Sequence, residues 1–274
     1  MGRKLRKLWR KVRDWILEQI DGGGDPAPAP SPDPAPTPAP ESVPDWRKCV
    51  RSTNWDGNNA SRRYMNMLSP KFPDSKFDSY LKALQSAGVD HVHLLLMNAG
   101  DGEGAGYDCI LDKKCHELAL ARIRKFRSLG LGVVLWLVAD DSKDYRMALV
   151  GNPSKYASAA KDLLEYASYC VLGLEMDENK MTLKQWRGVR DAVRKVYSRP
   201  LATHHTSGRS DFSSLGEIYM DQLDPSCTAS KIKSRVKSLV ANGWNVCGFE
   251  YSRKPARSKA QAALDGGAFG CGNW

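Results

Sequence analysis

No run of eighteen consecutive apolar residues occurs in this 274-residue chain, so the sequence holds no candidate membrane-spanning helix. No C-x-x-C pair occurs either, and the seven cysteines fit neither a disulfide scaffold nor a metal-ligand pattern. Cys109 and Cys115 are close enough in sequence to bond. Cys170 and Cys247 fall in strand-like runs and read as buried thiols, and the odd count points to mostly reduced cysteines. No glycine fingerprint for a phosphate or a dinucleotide follows any strand-like run, which leaves an open nucleotide-binding sheet as the runner-up fold only. Acidic residues are the minority, 31 against 41 lysines and arginines. The resulting charge of +10 favours acidic surfaces, whether nucleic acid, anionic lipid or cell wall. What remains, 42% hydrophobic and 26% charged residues, suits a globular protein with one large core.

The chain divides into three parts. Residues 1–24 predict a basic amphipathic helix: Leu5, Leu8, Trp9, Val12, Trp15, Ile16 and Ile20 share one stripe, with seven lysines and arginines from Arg3 to Arg13 on the other face. The basic residues run on without an apolar h-region, so this is no signal peptide, and Arg6 stands where a myristoylation site wants Ser or Thr. Trp9, Val12, Trp15 and Ile16 are the expected contacts with a membrane or envelope surface, or with a protein assembly. Nucleic acid is disfavoured as a partner, because the aromatic residues lie on the apolar stripe and are not interleaved with the basic ones. Residues 25–44 alternate proline with small residues and predict an extended polyproline II spacer, spanning on the order of 60 Å.

From residue 45 to 274 strand-like and helix-like segments alternate. About eight strands, each but the last with a crossover, predict an α/β fold, a (β/α)8 barrel. The fifth unit lacks a clear long helix, and nothing follows the eighth strand.

Strand four ends in "VLGLEMDE". Alternation puts Leu172, Leu174 and Met176 under the helices, and Val171, Gly173, Glu175 and Asp177 in the lumen. The same reading of strand seven turns Cys247 and Phe249 to the helices and Val246, Gly248 and Glu250 inward. Other strands end in Asn54 and Trp55, in Asn98, in Asp140 and Asp141, in His204 and His205, and in Asp221 and Asp224, with Asn273 and Trp274 closing the last. Barrel active sites lie at this C-terminal face. One acidic strand end means little, since loops are polar; acidic ends on strands three, four, six and seven point to a site.

Paired carboxylates with Trp, Asn and His fit glycoside cleavage, in which one carboxyl group donates a proton and another attacks. Here the chain resembles the retaining (β/α)8 glycoside hydrolases. The resemblance implies Glu175 as the acid/base and Glu250 as the nucleophile, with Asp177 or Glu178 as substitutes. It departs from them at Leu174, where the large clan of this layout carries Asn, and its E-x-D-E run matches neither the chitinase-like nor the muramidase-like pattern. Asn54, Trp55, Asn98, Asp140, His204, Asp221 and Trp274 are the expected substrate-binding residues.

Weaker features have plainer readings. The Gly-rich loop 98–108 could close over a ligand or hold a cation through Asp101 and Glu103, but lacks the spacing of a calcium hand. His91 and His93 share one face of strand two and read as core residues. Neither a metal nor a cofactor is expected. The layout predicts a glycosidase acting on a polysaccharide or peptidoglycan, tethered to a targeting helix in a virion-associated, extracellular or envelope setting. The alternative is a glycan-binding virion or surface protein that turns nothing over, its helix docked into a larger assembly. A third reading is an inactive barrel serving as scaffold.

Overall fold

A computed structural model describes residues 43–53, 65–100, 103–204 and 211–274. Residues 1–24, with Trp9, Val12, Trp15 and Ile16, and the spacer through residue 42 lie outside the described residues, as do Asn54, Trp55, Asp101 and His205.

Eight parallel strands pair in sequence order: β1 (Ser52–Thr53), β2 (His91–Leu95), β3 (Gly132–Trp136), β4 (Tyr169–Val171), β5 (Leu201–His204), β6 (Ile218–Asp221), β7 (Asn245–Gly248) and β8 (Gly270–Cys271). The sheet closes on itself. Arg51 bridges to Cys271 in parallel, the Cys271 N–H donates to Val50 C=O at 3.0 Å, and the Trp274 N–H donates to Ser52 C=O at 2.9 Å. Closure removes both exposed edges that an open sheet would carry. A short antiparallel hairpin, Met97–Asn98 with Tyr107–Asp108, stands above β2.

Helices α1 (Asp74–Ser86) and α2 (Lys113–Ser128) follow β1 and β2. After β3 come α3 (Lys143–Gly151), α4 (Pro153–Ala159) and α5 (Lys161–Leu164). Pro153 sits at the first position of α4, where its missing N–H costs nothing, and Asn152 before it is non-helical at φ −144°, ψ 58°, so α3 and α4 do not merge. Helix α6 (Leu183–Arg194) opens on a reciprocal cap, Thr182 with Gln185. Helices α7 (Ala229–Ala241) and α8 (Arg257–Asp265) follow β6 and β7. As expected, no long helix follows β5 among the described residues, where a 3-10 turn, Asp211–Leu215, stands. None of the described helices is long and apolar enough to cross a membrane.

The lumen is filled by rings. Trp136 lies 4.5 Å from Phe249 between ring centroids, and His93 lies 5.0 Å from Phe249 and 5.3 Å from His91. His93 accepts from Trp136 Nε1 at Nδ1 (2.8 Å), so its proton is on Nε2, which donates to Ser52 Oγ (2.9 Å); Ser52 in turn donates to Cys271 C=O (3.1 Å). Burial holds the His93 pKa well below its ordinary value, helped by His91 and His204, and the ring is neutral at pH 7.

These rings correct the expected facing of β7. Cys247 and Phe249 point into the lumen, Cys247 Sγ lying 3.7 Å from the Tyr169 hydroxyl. Val246 packs outward with Ile232 and Val236 of α7. The expectation took bulk as the mark of a helix-facing side chain, whereas this lumen is packed with aromatic rings. Gly173 is corrected likewise. Pairing in β4 stops at Val171, and a Cβ on Gly173 would lie 2.7 Å from the Trp186 ring of α6, in the helix layer.

Cys109 and Cys115 form a disulfide; Cys49, Cys170, Cys227, Cys247 and Cys271 are free and buried. Burial raises the Cys49 thiol to about 11 and the Cys271 thiol to about 12, so neither is a thiolate at neutral pH.

Candidate active site

Beyond Val171 the chain bends into a turn rather than continuing as a strand, and Glu175 sits in it with φ +44°, in the left-handed region that side chains rarely adopt. Such a conformation costs on the order of 1–3 kcal/mol and persists only where the surroundings over-determine it. Here they do. The Glu175 N–H donates to His204 Nδ1 at 2.9 Å, and the next N–H, of Met176, donates to His204 C=O at 2.8 Å. The Glu175 C=O accepts from Arg146 at 3.0 Å and from the Glu178 N–H at 3.0 Å. Arg146, wholly buried on α3, also donates to the C=O groups of Leu174 and Ala139. Trp186 closes the turn from the helix side, its Nε1–H donating to Met176 C=O at 2.7 Å.

That last contact makes Gly173 indispensable. The buried Trp186 ring is held by its hydrogen bond and cannot yield to a methyl group. Gly173→Ala is expected to destabilise the protein by about 1–3 kcal/mol, the usual cost of overpacking, as a lowered midpoint in urea unfolding.

Two sets of carboxylates flank the turn. Asp140 after β3, Glu175 and Glu178 place one oxygen each within 4.8 Å of one another. Gln222, just after β6, donates from Nε2 to Glu175 Oε1 at 2.7 Å. Beneath them, burial lowers the Arg146 pKa, and Asp140, Glu178, Glu175 and Asp141 pull it back up. On the other side, Glu250 Oε2 faces His204 Nε2 at 3.7 Å, with the imidazole fully buried and the Glu250 side chain 18% exposed. One ring thus stands between the backbone of Glu175 and the carboxylate of Glu250. The Asp140, Glu175 and Glu178 oxygens suit a hard cation by chemistry, but one oxygen from each supplies no more than half of the six to eight that calcium takes.

The remaining expected site residues are placed as follows. Asn98 is buried and donates to Asn66 Oδ1 at 2.9 Å; Asn66 also accepts from the Tyr107 hydroxyl, at 3.1 Å. The Asn98 side-chain oxygen accepts from the Gly100 N–H at 2.9 Å and lies 3.4 Å from the Ser142 hydroxyl, so the residue ties the β2 end to α3. Asp177 is half-buried at the start of the 3-10 turn Glu178–Lys180. Glu103 pairs with Lys76 at 2.6 Å.

Two expected contacts are seated elsewhere. Asp221 is buried in the helix layer, its oxygens accepting from Arg235 Nε of α7 (2.8 Å) and from the Tyr251 hydroxyl (2.7 Å). Met220 pairs in register with the inward Cys247, so Asp221 must point outward. Trp274 also lies in the outer layer, stacked by Arg51 and Arg257 and donating to Ala87 C=O at the end of α1. Asn273 holds the loop after β7 instead of lining the mouth: it accepts from the Tyr251 N–H at 2.9 Å and donates to Ser252 C=O at 2.8 Å. Tyr251, fixed outside, and Phe249, fixed in the lumen, together frame Glu250.

Burial raises the Asp221 pKa above its ordinary 3.8, with Arg235 and Tyr251 opposing. A carboxyl group raised on folding contributes stability below its unfolded pKa, and that contribution is lost as pH rises through the folded value. Asp221→Asn cannot titrate. Its stability relative to wild type is therefore expected to improve as pH rises from about 4 towards neutrality, as read by urea unfolding at several pH values.

Arg146 and Gln222 were missed by sequence reasoning. Gln222 directly follows an acidic strand end and falls under the same strand-end rule; nothing in the pattern of α3 marks Arg146 as buried.

The closed parallel barrel with polar groups gathered at its C-terminal mouth defines the class: a TIM-like α/β barrel. No protein-family model matches the chain, and no curated protein matches it in sequence. Solved structures do. A glycoside hydrolase family 5 protein from Bacteroides vulgatus superposes with a TM-score of 0.56 at 11% identity, over 81% of this chain and 57% of that one. A putative glycoside hydrolase from the same organism gives 0.53 at 12% identity, over 73% and 43%. A family GH5_18 structure from Bifidobacterium longum subsp. longum gives 0.52 at 11% identity, over 80% and 67%. The chain spans little more than half of the first of these. At such identities the likeness is one of fold alone: the TIM-like barrel.

Proposed function

We propose that the barrel hydrolyses glycosidic bonds by a two-carboxylate mechanism, with Glu175 as acid/base and Glu250 as nucleophile. The observation that carries this is the single imidazole of His204 set between the Glu175 backbone and the Glu250 carboxylate. It brings the ends of strands four and seven into one mouth, as a glycosidase requires. The strained backbone at Glu175 supports the same reading, since strain of this kind gathers at functional sites. Arg146 directs its hydrogen bonds to the backbone carbonyls of Ala139, Leu174 and Glu175, so this buried cation fixes the turn that carries Glu175. Asp177 and Asp140 belong to the proposed sugar-binding lining, and Asn54 and Trp55 are proposed for it from the sequence, whereas the buried Asn98 supports the mouth from below.

The substrate is a polysaccharide or peptidoglycan, to which residues 1–24 and the proline spacer address the barrel through an envelope surface or a protein assembly. The test is turnover on purified peptidoglycan and a glycan panel, wild type against Glu175→Gln. Release of reducing ends by wild type and its loss in the variant is expected; equal release by both, or none by wild type across the panel, overturns the reading. Truncation of residues 1–24 is expected to abolish pelleting of the chain with anionic vesicles if the address is lipid. Unchanged pelleting removes the membrane route.

A further inference from the structure

Resting on that reading, we propose that His204 is a positioning residue that sets both working carboxylates at once, rather than a contact for sugar. Its side chain is fully buried. The ring is wedged between Trp136, at 5.4 Å, and Phe249, at 5.2 Å, the latter directly preceding Glu250. Because Nδ1 accepts from the Glu175 N–H, the ring's single proton sits on Nε2. Nε2–H then faces Glu250 Oε2 across 3.7 Å, wider than a hydrogen bond. Catalytic contacts of this kind are often long without substrate and tighten in the complex. The His204 carbonyl holds the following N–H, of Met176. The backbone and the side chain of one residue therefore fix the left-handed turn that aims Glu175, and the same side chain presents a donor to Glu250.

Two substitutions separate the two functions. In His204→Asn the amide oxygen can stand in for Nδ1 and hold the Glu175 N–H, while the donor to Glu250 is lost. In His204→Gln the longer amide can stand in for Nε2–H, while the acceptor for Glu175 is lost. Each is expected to lower kcat by up to about 100-fold, the scale on which misplacing a reacting group by about 1 Å is felt. KM is expected to stay within about twofold in both, since a positioning residue touches no substrate. A rise in KM with kcat unchanged would make His204 a sugar contact and overturn the proposal.

The second arm needs no turnover and no variant of His204. In nitrogen-15 spectra of the full chain labelled at histidine, His204 is expected as the neutral Nε2–H tautomer, and its Nε2 resonance is expected to move in Glu250→Gln. An Nδ1–H tautomer, a doubly protonated ring, or a resonance indifferent to Glu250→Gln overturns the positioning role. If no glycan is cleaved but these signals are found, the hydrolase reading fails while the arrangement around His204 stands.

Discussion

Replacing Glu175 by glutamine is expected to lower kcat about 10²–10⁴-fold on ordinary glycosides, the range that a positioned general acid contributes. The loss has a signature. An acid is needed only when the leaving oxygen is a poor leaving group, so the same variant acting on a nitrophenyl glycoside should keep most of its rate for bond cleavage. Glu250→Gln should be inactive on both substrates, because no leaving group replaces a missing nucleophile. Gln222, which donates to Glu175 Oε1, can also bond a glutamine side chain there, so the acid variant keeps its local hydrogen bond. The measurement is kcat/KM, which reports bond cleavage and not the later base-assisted hydrolysis of the glycosyl-enzyme, for the two variants on a matched pair of substrates. Equal losses on both substrates for Glu175→Gln would remove it from the acid role.

The second large effect is expected at Arg146. Arg146→Met keeps the length of the side chain and removes donors from the carbonyls of Ala139, Leu174 and Glu175. It also removes the buried positive charge that faces Asp140, Glu178, Glu175 and Asp141. Removing one side of a buried charged arrangement typically costs about 3–5 kcal/mol, and leaving a buried carbonyl without its donor adds to the same penalty. A loss of that size is expected in urea unfolding. Activity should fall beyond what the folded fraction explains, because the C=O of Glu175 is one of the points that holds its left-handed backbone. A loss below about 1 kcal/mol, outside the range for a buried charge, would show that the turn is held from elsewhere.

Much of the fold was legible before the structure. The alternation of apolar runs with amphipathic ones reports parallel strands with crossovers, and the missing fifth helix was visible as a missing period. That the fourth and seventh strands run into acidic residues was legible too, because an apolar run that ends in acids marks a strand end. What could not be read was which way individual residues point. Phe249 is in the lumen because the rings of His93, Trp136 and His204 leave an aromatic-sized space there, a property of several strands together. Glu250 nonetheless reaches the mouth, since β7 ends at Gly248 and the chain is then steered by Phe249 and Tyr251 on either side. Asp221 shows the converse: it is an acid at a strand end whose register turns it outward to Arg235. Glu175 owes its place to a non-strand turn held by a histidine 29 residues away, a contact that no local pattern encodes.

The central claim is tested most directly by trapping. A 2-deoxy-2-fluoro glycoside with a good leaving group, chosen from a sugar the enzyme turns over, slows release of a covalent glycosyl-enzyme. Mass mapping of the labelled chain is expected to find one added sugar, on the peptide that carries Glu250, and faster labelling in wild type than in Glu250→Gln by at least the detection limit. A sugar attached to any other residue, or continued turnover in the Glu250→Gln variant, would contradict the pairing of the two strand ends as acid and nucleophile.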